Sequence, residues 1–195
     1  MIHQASRYIV IHFCGNSEYD RDTLIYGCEA LLSTILNCAV MLIMASIFGF
    51  FMQMVTIMLF YISLRLSAGG YHAPNYLICF IVGISVYTAG IVIGMLLADY
   101  LIGPYILTMG LLSVILIFRY APCDCENRPF SSEEYIIFKR RSRIMIFVLL
   151  SLIVVLWFFH AIFAAIAMNG VLGESVTLIR KNQHKKSQGS NKIEI

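Results

Sequence analysis

The chain has 195 residues, 59% of them hydrophobic and only 13% charged, with a formal net charge of +3 and a mean hydropathy of +0.81. Soluble domains carry about 25% charged residues, and a water-soluble fold of this composition would expose more apolar surface than such folds tolerate. The apolar runs are continuous rather than alternating, which also excludes a transmembrane β-barrel, and several reach the roughly 20 residues that a membrane-spanning helix needs.

The expected fold class is therefore all-α: a polytopic integral membrane protein forming one membrane domain, 1–195, with six transmembrane helices and an N-terminal interfacial segment. Residues 1–23 carry Arg7, Asp20, Arg21 and Asp22 and do not read as a cleavable signal peptide. Residues 3–17 mix Tyr8, Ile9, Val10, Ile11 and Phe13 with polar residues, a pattern too short to span and suited to lying on the membrane surface. Asp20 to Thr23 supplies capping chemistry for a first span from about Leu24 to Ile47. Glu29 lies near the start of that span. A carboxylate there marks either a functional site or a position close enough to the interface to reach water.

Phe48-Gly-Phe-Phe reads as a tight uncharged turn. A second span from about Met52 to Leu66 ends in Arg65, which can snorkel to the headgroups. The Gly69–Pro74 loop leads to a third span, about Asn75 to Ala98. Asp99 to Pro104 is a short loop before a fourth span, about Tyr105 to Phe118. The polar stretch from Arg119 to Arg143 follows, with Ser131-Ser-Glu-Glu as a capping box and the basic cluster Lys139, Arg140, Arg141 and Arg143 before the membrane entry near Ile144.

Ile144 to Ile179 is a run of 36 mostly apolar residues, long enough for one tilted span or for a hairpin of two short ones. Charge decides. With six spans and the N-terminus inside, all 14 Lys and Arg residues fall on the cytoplasmic side, and the outer turns near Gly49, Asp99 and Phe159-His160 have none. Five spans would put Arg180, Lys181, Lys185, Lys186 and Lys192 outside, against the positive-inside rule. The last two helices are short unless the fifth begins back near Tyr135.

Chemistry concentrates in the connector Arg65-Leu-Ser-Ala-Gly-Gly-Tyr-His-Ala-Pro-Asn-Tyr-Leu-Ile-Cys79, which this topology places at the cytoplasmic face. Pro74 suits a first helical turn, so the third span begins near it, with Cys79 inside and His72 just outside. In one continuous helix, residues seven apart share a face but sit about 10 Å apart along the axis, too far for proton transfer over roughly 3 Å. Gly69 and Gly70 can adopt backbone conformations closed to other residues and let the loop carry His72 back towards Cys79. Cys79 then reads as a nucleophile and His72 as its general base, with Glu29 as the candidate third residue orienting the imidazole. Backbone N–H groups at Gly69 and Gly70 could hold an oxyanion. The competing reading is a packing cysteine and a hydrated interfacial histidine.

Of the six cysteines, Cys14, Cys28, Cys38 and Cys79 lie in or near apolar segments, and only Cys123 and Cys125 sit in an evident polar loop. Cys123-Asp-Cys125 has no second pair at metal-site spacing. No Gly-x-Ser-x-Gly or His-Glu-x-x-His motif occurs. No metal, cofactor or nucleic acid is expected. A rival of another class is a six-helix substrate-binding subunit of a small-molecule transporter, which would need polar contacts in a central cavity and no Cys–His pair at one interface.

The connector resembles the signature of the accessory gene regulator B family, integral membrane cysteine endopeptidases of Gram-positive bacteria. The shared pattern is Arg65, Ala68-Gly69-Gly70, His72-Ala73 and a Cys seven residues after the His. Tyr26-Gly-Cys-Glu29, Tyr120-Ala-Pro122 and Arg128-Pro129 extend the resemblance; Cys28, Cys123 and Cys125 are not part of it. The resemblance implies a bacterial cell-membrane peptide hydrolase with both termini and the active site on the cytoplasmic side. Cys79 and His72 would cut the C-terminal tail from a small propeptide through a thioester, in support of quorum-sensing peptide production. The implied substrate has an amphipathic N-terminal helix, which rests on the bilayer, and an acidic tail. Arg65, Gly69 and Gly70 are candidate substrate contacts. Lys139, Arg140, Arg141 and Arg143 would either hold the tail by charge or only set topology. A homodimer is compatible with this reading.

Overall fold

The structure, a computed structural model, describes residues 2–13, 21–69, 76–97, 102–123 and 132–190. Among these residues the chain forms seven helices and no strand: α1 (Ile2–Phe13), α2 (Arg21–Ile47), α3 (Phe51–Ala68), α4 (Tyr76–Leu97), α5 (Ile102–Tyr120), α6 (Ser132–Phe159) and α7 (Ala161–Ser190). Six of them, α2 to α7, contain segments long and apolar enough to cross a membrane. The protein is an all-helical, multi-pass membrane protein. Its contacts divide it into two compact units, Met1–Phe51 and Met52–Ile195.

In the first unit α1, at 12 residues, is about 18 Å long and too short to span. It packs along α2, and its Ser6 and Val10, one turn apart, are buried while Tyr8 and Ile11 are exposed. The end of α2 follows from one glycine. Gly49 takes a φ of +78°, and the N–H groups of Gly49 and Phe50 donate to the carbonyls of Ser46 and Ala45 at 3.4 and 2.8 Å. This is the paired closure that a left-handed residue after a helix permits.

The second unit is built around α7. Of its span, Ala161–Ile179, 61% is buried, against 22–39% for the spans of α3 to α6. The cause is a series of small residues. A Cβ on Gly170 would lie 2.7 Å from the Ile57 carbonyl oxygen of α3, and one on Gly94 of α4 would meet the Ile166 backbone at 3.0 Å. Ala164, Ala165 and Ala167 are fully buried. Hydrocarbon gives no hydrophobic drive for helices to associate, so close backbone approach through small residues supplies the contact instead. Gly170 against Ile57 and Gly173 against Tyr61 make α3 run parallel to α7. Gly94 with Ile166 and Gly173 with Val86 make α4 antiparallel to it. α5 and α6 complete the surround.

The outer face of α5 is apolar. On α5, Ile106, Gly110, Ser113 and Ile117 are buried, and the opposite side presents Leu107, Leu111 and Ile115. Both faces are largely apolar, as lipid contact requires.

The last pair of helices is long, because α6 starts at Ser132, where the Ser131 capping box places it, and runs 28 residues. The turn is one residue: the His160 N–H donates to the Leu156 carbonyl, and the His160 carbonyl accepts from the Ala164 N–H. The basic cluster therefore lies on the opening turns of α6.

Gly170→Ala forces a methyl group against a main-chain carbonyl and is expected to cost about 1–3 kcal/mol. Gly27 is the control, because a Cβ there would meet nothing within 4 Å. Thermal unfolding in detergent should drop for Gly170→Ala and stay within about a degree or two for Gly27→Ala.

Candidate active site

The candidate site sits at the end of the second unit where α3 and α5 finish and α4 and α6 begin. α3 stops at Gly69, whose φ is +71°. The connector leaves from there against a second strand of chain: the Cys123 N–H donates to the Ala68 carbonyl at 2.9 Å. A Cβ on Gly69 would come 2.5 Å from the Cys123 carbonyl oxygen. Gly69 is thus required twice, by backbone conformation and by close approach.

Cys123 was expected in a polar loop. It is instead 6% exposed and part of the core with Leu64, Ala68, Ile117 and Ala121. The polar composition begins only at Asp124, and the three residues after α5 continue its packing. Tyr120-Ala-Pro122, one of the family-like motifs, leads directly into this clamp.

Arg65 lies one turn before Gly69. Its position at a helix end suggests snorkelling to headgroups; the structure turns it inwards. Its Nη1 donates to Glu174 Oε2 at 3.3 Å and to the Tyr61 hydroxyl at 3.1 Å, and its side chain is 21% exposed. Glu174 on α7 is fully buried. A carboxylate that cannot reach water draws in the nearest cation. Tyr61 packs edge-on against Tyr87 of α4, ring centroids 5.2 Å apart, so the polar group is walled by aromatic rings.

α4 begins at Tyr76, two residues after Pro74, as the proline predicts. Ile57 meets Gly90 and Tyr61 meets Tyr87, so α3 and α4 run antiparallel. Carrying that register forward brings the backbone of Cys79 level with Ala68 and Gly69. The Cys79 side chain, and all of Gly70, His72 and Pro74, lie outside the described residues.

Glu29 lies on α2, half-buried, in the first unit. Arg140 and Arg141 are exposed on α6. Lys139 stands over the Tyr135 ring at 5.6 Å, and Arg143 over Phe118 of α5 at 4.6 Å. Phe118 also meets Phe147 edge-on. Arg143 therefore ties α6 to α5, while Arg140 and Arg141 face outwards. Among the described residues no cluster of His, Cys, Asp or Glu could hold a metal ion.

A family model described as Accessory gene regulator B matches residues 4–178. The chain belongs to the accessory gene regulator B family. The match includes the whole Arg65–Cys79 connector, the Cys123 clamp and Glu174. An AgrB-like protein of Clostridium perfringens is 25% identical over 148 residues, 69% of this chain and 66% of that protein. An AgrB-like protein of Listeria innocua is 28% identical over 112 residues, 56% of this chain and 53% of its own length. The chain thus spans less than two thirds of either relative. No solved structure matches.

Glu174 is a buried carboxylate to which the sequence reading assigned no role. Its signal was present, a carboxylate in an apolar run, but its partner is 109 residues away.

Gly69→Ala is expected to break the clamp, since left-handed backbone strain of about 1–3 kcal/mol adds to a clash that only main-chain movement relieves. Membrane-inserted protein should accumulate at reduced thermal stability, and any peptide-processing activity per molecule should fall further than stability alone predicts. Ser67→Ala, whose hydroxyl among the described residues donates to the Ser63 carbonyl of its own helix at 3.4 Å, is the comparison and should leave both close to wild type.

Proposed function

We propose that the chain is a membrane-embedded cysteine endopeptidase that removes the C-terminal tail of a small quorum-sensing propeptide. The observation that carries this reading is the Arg65–Cys79 connector, with His72 and Cys79 at the family's spacing, inside a family match that runs over residues 4–178. The helix start at Tyr76 supports it, because Cys79 then falls in the first turn of α4 and His72 precedes that helix in sequence.

The chemistry needs three groups. His72 takes the thiol proton as Cys79 attacks the carbonyl carbon of the scissile peptide bond. The negative charge on the carbonyl oxygen is held by backbone N–H groups, for which Gly69 and Gly70 are the candidates. The C–N bond then breaks, His72 returns its proton to the departing amine, and a thioester remains on Cys79. A Cys or Ser of the bound peptide attacks that thioester, closes a thiolactone or lactone, and regenerates the Cys79 thiol. Glu29 is proposed to orient the imidazole.

Arg65, Arg119 and Lys139 to Arg143 gather at the same end of the second unit. Positive residues favour the cytoplasmic side, so this end, the active site and both termini are assigned to the cytoplasm of a bacterial cell. An amphipathic propeptide helix on that leaflet would present its acidic tail to the exposed Arg140 and Arg141. A homodimer in the bilayer is part of the same proposal.

Co-expression with a candidate propeptide tests it. Cys79→Ala and His72→Ala are expected to abolish cleavage while the protein still reaches the membrane; full processing by both would refute the reading. Glu29→Gln should lower turnover about 10- to 100-fold if it orients the base, and unchanged turnover removes it from the site. Replacing Arg140 and Arg141 by Gln should raise KM for the propeptide, more at low ionic strength than at high, because exposed charges are screened.

A further inference from the structure

We infer that Glu174 is a positioning residue for this active site, acting through Arg65. The inference rests on the peptidase reading above. Four observations carry it.

First, the ion pair joins the last turn of α3 to the central helix α7. Gly69, where the catalytic connector leaves, is four residues beyond Arg65, about 6 Å further along the axis. The same turn is also held by the bond from the Cys123 N–H to the Ala68 carbonyl. Together the two contacts fix the point of departure of the connector in place and direction.

Second, the register of α3 against α4 puts the Arg65 backbone about one turn deeper than the Cys79 backbone, and the contact of Gly173 with Val86 puts Glu174 deeper still. The pair is thus set back from the level of Cys79, below the helix end from which the connector leaves.

Third, the pair is a poor device for stability alone. Glu174 is fully buried, and its Oε1 has no hydrogen-bond partner among the described residues. Buried ion pairs whose oxygens are not all satisfied are commonly no more stable than apolar residues of the same volume, and an unsatisfied buried oxygen is rare in native proteins. A charge kept at that depth marks function by default.

Fourth, Arg65 is engaged from within. Its charge is matched by Glu174, and its guanidinium also bonds the Tyr61 hydroxyl at 3.1 Å and lies over the Tyr61 ring, 5.8 Å from the centroid. A cation so neutralised is a weak attractor for an acidic peptide and a good anchor for its own helix.

The experiment uses the full chain in membrane vesicles, with two readouts: propeptide turnover, and the rate at which iodoacetamide alkylates Cys79, followed by mass spectrometry. Four variants are compared with wild type: Glu174→Gln, the double replacement Arg65→Met with Glu174→Leu, Cys79→Ala and His72→Ala. Glu174→Gln is expected to lower kcat on the order of a hundredfold, the scale of a small misplacement of a reacting group, with KM within about twofold. Cys79 alkylation at neutral pH should slow about tenfold, in the same direction as for His72→Ala.

The apolar double variant removes both charges and should melt at or above the wild-type temperature while remaining as slow as Glu174→Gln. That separates positioning from stability. Wild-type turnover in the double variant overturns the inference, as does a rise in KM with kcat unchanged, which would make Arg65 a direct substrate contact. If Cys79→Ala and His72→Ala both process normally, the peptidase reading fails. If they are inactive and the Glu174 variants are not, only the positioning role fails.

Discussion

The structure of the second unit depends on how closely other helices can approach α7. Lipid is as apolar as any leucine, so burying side chains between helices gains little by itself; what is gained is contact at short range. Gly170 lets the Ile57 carbonyl of α3 lie where a methyl group would stand, and Gly94 on α4 does the same for Ile166. Once α3 and α4 are drawn to one axis from opposite directions, the end of α3 and the start of α4 must meet at the same end of the unit. The connector is short because the packing leaves it little distance to cross.

That packing also determines what the ends can do. α3 reaches its last turn with a charged residue facing a helix that is buried for most of its span. Arg65 cannot both reach the headgroups and leave Glu174 in hydrocarbon without a counter-charge, so it turns inwards. The Cys123 segment closes on the end of the same turn and requires a glycine at 69. A helix end at a membrane surface is otherwise prone to fray. Here the last turn of α3 is held by the Arg65–Glu174 ion pair and by the main-chain hydrogen bond from Cys123 to Ala68.

Much of this fold was legible in the sequence. The continuous apolar runs, the uncharged turn at Gly49, the proline before α4, the capping residues before α6 and the placement of all basic residues led to six spans with ends close to those observed. Each is a local signal, or a sum over charges. The long-range facts were harder to read. The pairing of Arg65 with Glu174 joins residues 109 positions apart, and periodicity says nothing about which helices touch. The small residues of α7 do announce close packing, although not against which partner. The burial of Cys123 was concealed by the polar residues that follow it, since composition averages over a window while the chain leaves the core at one particular residue.

Two buried polar clusters among the described residues of the second unit differ in how fully they are satisfied. Asn169 of α7 donates from its Nδ2 to the Gly90 carbonyl of α4 at 2.7 Å and accepts from the Tyr105 hydroxyl of α5. Both ends of its amide are used, by two different helices, deep in the span. A satisfied amide in hydrocarbon fixes which helices meet and in what register, and it asks for nothing more. Glu174 lies one turn and a half nearer the basic end, is an ionisable group, and uses one oxygen on Arg65 while the other has no partner among the described residues. If register were all that was needed, the asparagine already supplies it. The second, costlier polar residue instead bonds Arg65, in the last turn of α3.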